Sequence, residues 1–173
     1  MFYDAEACLA FLTEKERLWK LKSELAREVN FPIVSCGLNI SNTLKCEERF
    51  LDLCKRMTSD LLVLLSLKGF PASVVFEETG ILGYITLIIV NEESQSVKKA
   101  CVEFEESRPA LRLFDADVMD AKGHQISRDE LGLASRRCYL CSKPAKYCSA
   151  VGTHSPKDVL GAIERLLSEY API

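Results

Sequence analysis

Two aspartates, Asp115 and Asp117, lie two positions apart in the apolar stretch 112–118, and their spacing is the first feature that predicts chemistry. On a strand, alternate side chains share a face, so both carboxylates point the same way while Phe114 and its apolar neighbours face the other side. Close carboxylates repel each other unless a cation lies between them, and Mg²⁺ typically joins one or two carboxylates to substrate phosphates. The motif therefore predicts a magnesium site, and a polar face of an edge strand is the alternative.

A second group of chemically capable residues follows in the C-terminal third of the chain. Cys138, Cys141, Cys148 and His154 have the spacing C-x2-C-x6-C-x5-H. These are residue types that Zn²⁺ prefers, and C-x2-C allows two thiolates of one turn to reach one ion. The second half of the pattern matches no common zinc finger, so three reduced core thiols and an unrelated histidine are the alternative.

Four cations lie in and around this cysteine-rich segment: Arg136, Arg137, Lys143 and Lys146. The whole chain carries a net charge of −3, so a positive site for an anion has to be local. Adjacent arginines are suited to binding phosphate oxygens, whereas the lysines are equally typical of a solvated surface.

Composition sets the class of protein. The 173 residues are 48% hydrophobic and 27% charged, which predicts a single soluble domain spanning residues 1–173. Because the chain is acidic overall, its charge favours neither nucleic acid nor membrane as a partner. The N-terminal residues show no signal-peptide pattern, so we expect a cytoplasmic protein whose eight cysteines stay reduced.

The periodicity of apolar residues predicts the elements that position these groups. We expect helices in two pieces over residues 4–29, a strand over 31–40, a helix over 44–68, an antiparallel hairpin of strands 72–77 and 83–90, a helix over 92–105 capped by Asn91, and a strand over 112–118. This βαββαβ order over about residues 32–118 predicts an α+β protein with a ferredoxin-like core, a four-stranded antiparallel sheet with two helices on one face.

The remaining C-terminal residues predict additions to that core. A turn at residues 120–123 returns the chain to a short strand, 125–126, as the second arm of a hairpin. Ser127 and Glu130 form a capping box for a short helix, whose N-terminus would offer N–H groups to a phosphate. Ser155 begins a final amphipathic helix after the Cys/His-rich loop.

With these residues in view, the sequence resembles the citrate lyase holo-acyl-carrier-protein synthase family, the apo-citrate lyase phosphoribosyl-dephospho-CoA transferases. The resemblance rests on residues 112–118, Gly123, 126–128, Leu131, 136–138, Cys141, Cys148 and His154, with weaker matches at 16–17, Asn39 and Lys45. The chain departs from the family pattern at Leu21, 41–42, Leu111 and Ala150.

The resemblance implies an enzyme that transfers phosphoribosyl-dephospho-CoA from its triphosphate precursor to a serine of the apo acyl carrier subunit of citrate lyase, releasing diphosphate. It implies Mg²⁺ on Asp115 and Asp117, and a proton acceptor that is one of these aspartates or His154. The phosphate-binding set that it implies comprises Arg112, Arg128, Arg136 and Arg137, with Asn39 and Lys45 as weaker substrate contacts.

Other functions also fit the residues. A zinc-stapled module that binds protein or RNA would use the cysteine cluster without catalysis. A nucleotidyltransferase with a different acceptor would use the same aspartates and arginines, and a divergent inactive homologue would use neither.

Overall fold

The computed structural model describes residues 5–170 of the chain. The helices are α1 (Ala5–Val29), α2 (Asn42–Lys45), α3 (Glu48–Leu67), α4 (Ser94–Ser107), α5 (Ala145–Val151) and α6 (Pro156–Ser168). The strands are β1 (Ile33–Leu38), β2 (Ala72–Gly80), β3 (Gly83–Val90), β4 (Phe114–Met119) and β5 (Gln125–Ile126). Two 3₁₀ turns, Pro109–Leu113 and Asp129–Leu131, flank the β4–β5 hairpin.

The strands form one sheet in the order β2-β3-β1-β4-β5, and every neighbouring pair is antiparallel. The α+β prediction is confirmed, and so are the β2–β3 and β4–β5 hairpins. Strand β1 lies in the centre, paired with β4 from Ile33 opposite Met119 to Leu38 opposite Phe114. All six residues of β1 are buried, because helices cover both faces of the sheet at this point.

Each face of the sheet has its own apolar core, because alternate residues of a strand point to opposite sides. Val34, Cys36 and Ile88 belong to the larger core, which also contains residues of α3, α4 and α6. Ile33 and Met119 belong to the smaller core, which α1 covers. The second hairpin strand, predicted to be buried on both faces, is buried or half-buried along its whole length.

The N-terminal helix differs from the prediction of two pieces. Helix α1 is continuous over 25 residues and begins before residue 13. Thr13 therefore does not cap a helix. Ion pairs from Glu14 to Arg17 (2.5 Å) and from Glu16 to Lys20 (2.8 Å) lie on its exposed side and support the helix through this region.

Two further helix boundaries are corrected. The predicted helix 44–68 is interrupted at Cys46 and Glu47, which separate α2 from α3. Helix α4 is capped by Glu93, whose carboxylate accepts the N–H of Ser96 (2.9 Å), and not by Asn91. Asn91 instead lies directly after the end of β3, where its backbone N–H donates to the carbonyl of Pro71 (2.8 Å).

The segment before the aspartates also differs from the prediction. Residues 109–113 form a 3₁₀ turn with Pro109 at its start, so the strand begins at Phe114 and not at Arg112. Arg112 therefore lies in the 3₁₀ turn. The strand alternation that places Asp115 and Asp117 on one face does not determine the direction of the Arg112 side chain.

The C-terminal additions match the prediction in outline. Ser127 and Glu130 form the reciprocal capping box, with N–H to oxygen distances of 2.9 and 3.2 Å. The helix that follows is only the 3₁₀ turn Asp129–Leu131, ended by Gly132 at φ 65°, so it has no helical N-terminus for a phosphate. The sequence did not predict α5, whereas α6 begins as expected, with the Ser155 hydroxyl accepting the N–H of Asp158 (3.2 Å). No helix within residues 5–170 is long and apolar enough to cross a membrane.

Candidate active site and cysteine cluster

Asp115 and Asp117 lie on the face of the sheet that α1 covers. In the β1–β4 register Asp115 is opposite Gly37 and Asp117 is opposite Ser35, and directly opposed residues of an antiparallel pair share a face. Met119, two residues further along the same side, packs in the core beneath α1. Both aspartates are half-buried, so they are held by a rigid central strand pair and still reach the surface.

Three positive side chains from different parts of the chain interact with one or both carboxylates. The Arg136 guanidinium is 3.0 Å from Asp115 and 2.8 Å from Glu105 of α4. Lys22 of α1 interacts electrostatically with both aspartates, and Lys45 of α2 interacts with Asp115. The site therefore combines two carboxylates with three cations that come from parts of the chain far apart in sequence.

The protonation of these groups reflects their burial. Burial raises the pKa of Asp117, and the Asp115 carboxylate raises it further, while Lys98 and Lys22 oppose the shift. Burial lowers the pKa of Lys22, and the two aspartates act against that change. Within the described residues 5–170, the Asp117 carboxylate has no hydrogen-bond donor, so its oxygens are available to a ligand.

Helix α4 completes the outer edge of β4 beside these aspartates. The N–H of Ala116 donates to Glu105 (2.8 Å), and the carbonyl of Ala116 accepts from Lys98 (3.1 Å). Strand β5 reaches only Val118 and Met119, so side chains of α4 supply the partners that a longer β5 would have provided. Arg128 also pairs with Glu105 (2.6 Å), which makes this glutamate the common anchor of two arginines.

Arg112 contacts the cysteine-rich loop. Its guanidinium donates to the carbonyls of Arg137 (3.0 Å) and Cys138 (2.8 Å), and it lies 5.6 Å from the centre of the Tyr139 ring. The Tyr139 hydroxyl donates to the carbonyl of Asn39 at the end of β1. These bonds tie the loop to the same end of the sheet as Asp115.

The four residues of the Cys/His pattern converge. The sulfur atoms of Cys138, Cys141 and Cys148 and a ring nitrogen of His154 all lie within 4.8 Å of one another. Cys148 is buried and the other three are half-buried. Four zinc-type donors in a space of this size are able to surround one metal ion.

The structure thus sorts the predicted site residues into groups. Arg136 contacts Asp115 and Lys45 interacts electrostatically with Asp115, whereas the Arg137 side chain is exposed on the adjoining loop. Arg128 forms ion pairs with Glu105 and Glu106. Arg112 donates hydrogen bonds to loop carbonyls. The backbone carbonyl of Asn39 accepts the hydrogen bond of the Tyr139 hydroxyl. Lys143 and Lys146, which lie between the second and third cysteines, are exposed to solvent.

Sequence reasoning missed three residues of this region: Lys22, Lys98 and Glu105. Each is a charged residue on the inward face of a helix, and each is buried. Lys22 lies between Leu18 and Ala26 of α1, and Glu105 follows Phe104 of α4. The sequence did contain a signal for these residues, a charged side chain within the apolar stripe of a helix. Such a residue indicates a buried charge with a partner, because charged side chains are seldom buried unpaired.

Comparison with known proteins identifies the family of this chain. The family model described as apo-citrate lyase phosphoribosyl-dephospho-CoA transferase matches residues 7–170. A probable apo-citrate lyase phosphoribosyl-dephospho-CoA transferase of Vibrio cholerae is 28% identical over 163 residues, covering 92% of this chain and 90% of the relative. Protein CitXG of Leuconostoc mesenteroides subsp. cremoris is 30% identical over 162 residues, covering 89% of this chain and 34% of that longer protein.

A shorter match lies in Escherichia coli, where the apo-citrate lyase phosphoribosyl-dephospho-CoA transferase is 35% identical over 83 residues, covering 48% of this chain and 45% of the relative. The family match spans all the elements that carry the aspartates, the arginines and the cysteine cluster. The chain belongs to the apo-citrate lyase phosphoribosyl-dephospho-CoA transferase family.

Proposed function

We propose that this protein transfers phosphoribosyl-dephospho-CoA from a triphosphate precursor to a serine of the apo acyl carrier subunit of citrate lyase, and releases diphosphate. Family membership supports this reaction and this acceptor. The observation that carries the proposal is the Asp115–Asp117 pair on the α1 face, with Arg136 3.0 Å from Asp115 and two lysines within electrostatic range. Such an array suits a polyphosphate bound with a divalent cation.

The two carboxylates fit Mg²⁺. Their oxygens are hard ligands on one face of a strand, and the Asp117 oxygens lack a hydrogen-bond donor in the described part of the chain. Asp115 and Asp117 would hold the ion, whose chemistry is to neutralise phosphate charge and orient the chain of phosphates.

The chain's own cations would complete the binding of phosphate. Arg136 is placed to contact a phosphate held at Asp115, and the exposed Arg137 lies next to it in sequence. Lys22 of α1 and Lys45 of α2 would add further positive charge to the site. Arg112, Arg128 and Asn39 bond to protein groups other than the two aspartates, so direct phosphate contacts by these residues stay a prediction from the family resemblance.

The chemical step is a displacement at phosphorus. The serine hydroxyl oxygen of the carrier forms a bond to the α-phosphorus, the bond from that phosphorus to the departing diphosphate breaks, and the serine proton passes to a base. We favour an aspartate of the pair over His154 as that base, because His154 converges on three cysteines. Charge that develops on the diphosphate is stabilised by the arginines.

We also propose that residues 32–118 form a ferredoxin-like core. Supporting features are the strand order β2-β3-β1-β4, the antiparallel pairing, and the packing of α3 and α4 in one core with the sheet. A cytoplasmic location stays a prediction from the sequence alone.

The test is the intact mass of the apo carrier subunit after incubation with this protein, Mg²⁺ and the triphosphate precursor. We expect the carrier to gain the mass of one phosphoribosyl-dephospho-CoA group, and the gain to disappear when Mg²⁺ is chelated. The double variant Asp115→Asn and Asp117→Asn should lose transfer while keeping its circular dichroism spectrum. Asp52→Asn, the same change on the exposed side of α3, is the matched control and should transfer normally.

Two outcomes would contradict the proposal. Transfer that persists in the double variant would overturn the assignment of Mg²⁺ to these aspartates. An unmodified carrier with the wild-type protein would overturn the reaction itself and favour a non-catalytic binding module.

A further inference from the structure

We propose that Cys138, Cys141, Cys148 and His154 bind one Zn²⁺ in a closed structural site. The donor atoms lie within 4.8 Å of one another, and three sulfurs with one imidazole nitrogen form a donor set typical of structural zinc. Because all four ligands come from the protein, no position remains for a substrate, so the ion would stabilise the loop and take no part in transfer.

The backbone already has the shape that such a site requires. Cys138 and Cys141 lie in a turn that two backbone hydrogen bonds close. The N–H of Cys138 donates to the carbonyl of Lys143 (2.8 Å), and the N–H of Ala145 donates to the carbonyl of Arg136 (2.8 Å). The N–H of Leu140 points at the Cys138 sulfur from 3.5 Å, as expected for a sulfur that carries negative charge. This turn directs both sulfurs to one point.

The other two ligands come from separate elements. Cys148 is on α5, and its backbone N–H donates to the carbonyl of Pro144. His154 immediately precedes Ser155, the N-cap of α6. The Cys141 and Cys148 sulfurs are 3.5 Å apart. Zinc–sulfur bonds of about 2.3 Å in a tetrahedron place two sulfurs about 3.8 Å apart, so only a small adjustment is needed.

The His154 ring supplies an independent observation. Its Nε2 atom is buried and has no hydrogen-bond partner among residues 5–170. An unpaired buried polar atom is costly, and native structures rarely keep one without a reason. A metal ion bound by this nitrogen would remove that cost, because a neutral imidazole nitrogen is a good zinc ligand.

The site has a structural consequence at the aspartates. Arg136 and Arg137 directly precede the first ligand, and Arg112 bonds the carbonyls of Arg137 and Cys138. Fixing the turn therefore fixes the chain from which Arg136 reaches Asp115 at 3.0 Å. Zinc binding itself does not depend on the proposed transferase function, whereas this effect on Arg136 matters for catalysis only if that function is correct.

The first experiment measures metal in the full-length protein purified under reducing conditions. We expect one equivalent of zinc by elemental analysis. We expect Co²⁺ in its place to give the intense visible bands of tetrahedral coordination, with a thiolate-to-cobalt band in the near ultraviolet. An octahedral cobalt spectrum, or a metal-free protein with a Cys141–Cys148 disulfide, would overturn the proposal.

Variants then locate the site. Cys141→Ser and His154→Gln should each lose most of the bound zinc and the tetrahedral cobalt spectrum. The matched control, Cys8→Ser, changes an exposed cysteine of α1 and should keep both. Full zinc in Cys141→Ser would contradict the ligand set. If a ligand variant does not fold, the wild type decides the question, since stripping its zinc should lower its thermal midpoint and restoring zinc should recover it.

Discussion

Arg136 joins two carboxylates that different elements supply, Glu105 of α4 and Asp115 of β4. Both contacts are at hydrogen-bond distance, and the guanidinium is largely withdrawn from solvent, so its position is well defined. A planar group with several fixed donors suits a bound phosphate in a way that a lysine ammonium does not. Among single residues, Arg136 is therefore the cation that we propose contacts the bound phosphates.

We predict that Arg136→Ala lowers the rate of transfer by about 100-fold, because one preorganised donor to the developing charge is lost. The measurement is the rate of carrier modification by mass spectrometry at saturating Mg²⁺. Arg56→Ala, the same change on the exposed side of α3, is the control and should transfer at the wild-type rate. Equal rates in the two variants would remove Arg136 from the site.

His124 provides a separate test of the capping box. Its imidazole is 2.9 Å from Glu130, and this hydrogen bond raises the pKa of His124. The pKa of Glu130 falls to about 2, chiefly through its hydrogen bonds to Ser127 and His124. The pair is therefore oppositely charged from just above the pKa of Glu130 up to the raised pKa of His124.

We predict that Glu130→Gln shifts the pKa of His124 downward, towards the ordinary value of about 6.5. The chain contains two histidines, so NMR titration of the imidazole protons resolves His124 directly. Ser127→Ala keeps the carboxylate near His124 and serves as the comparison. An unchanged His124 titration in Glu130→Gln would show that the contact does not form in solution.

At the scale of elements, α4 and β4 form one unit. The rings of Phe104 and Phe114 pack edge to face, with centres 5.5 Å apart, and Glu105 accepts the N–H of Ala116. Glu105 is almost completely buried and also binds Arg128 and Arg136. The geometry of the aspartate strand thus depends on a carboxylate that never needs to contact substrate.

We predict that Glu105→Ala lowers the free energy of unfolding by about 3 kcal/mol, because two arginines and one backbone N–H lose their partner. Glu103→Ala, in the same helix, breaks an exposed ion pair with Lys68 and should cost less than about 1 kcal/mol. Urea unfolding followed by circular dichroism measures both. Similar costs for the two variants would contradict the role of Glu105 as an anchor.

At the scale of the whole molecule, burial divides the eight cysteines into three classes. Cys8 and Cys46 are exposed, and the three cysteines that converge with His154 are buried or half-buried. Cys36, Cys54 and Cys101 are buried in the larger core. Burial raises the pKa of Cys54 and Cys101 to about 12 and that of Cys36 well above its ordinary value.

We predict three steps in labelling by a thiol reagent at neutral pH. Cys8 and Cys46 should react first, the three cluster cysteines only after zinc is chelated, and the core cysteines only after denaturation, because the thiolate is the reactive form. Peptide mapping of each step identifies the sites. Rapid labelling of the cluster in the untreated protein would contradict metal protection, and rapid labelling of Cys101 would contradict the packing.

Features that depend on local periodicity and on side-chain chemistry follow from the order of the amino acids alone. Strand alternation placed Asp115 and Asp117 on one face, apolar spacing predicted α4 with its buried Phe104, and donor types predicted that the cysteines and His154 belong together. The resemblance to the family rested chiefly on residues 112–118 and on the arginines, cysteines and His154 that follow them. These inferences hold because neighbours in sequence have few choices of relative direction.

The pairing of charges that are distant in sequence depends on the folded chain. The long loop after β5 has no periodicity, so nothing in the sequence showed that Arg136 reaches Asp115, that Arg112 turns to the loop carbonyls, or that Arg128 pairs with Glu105. The contribution of Lys22 required the packing of α1 across the sheet. The path of a flexible side chain depends on contacts between elements far apart along the chain, and those contacts exist only once the sheet and its two helical layers have assembled.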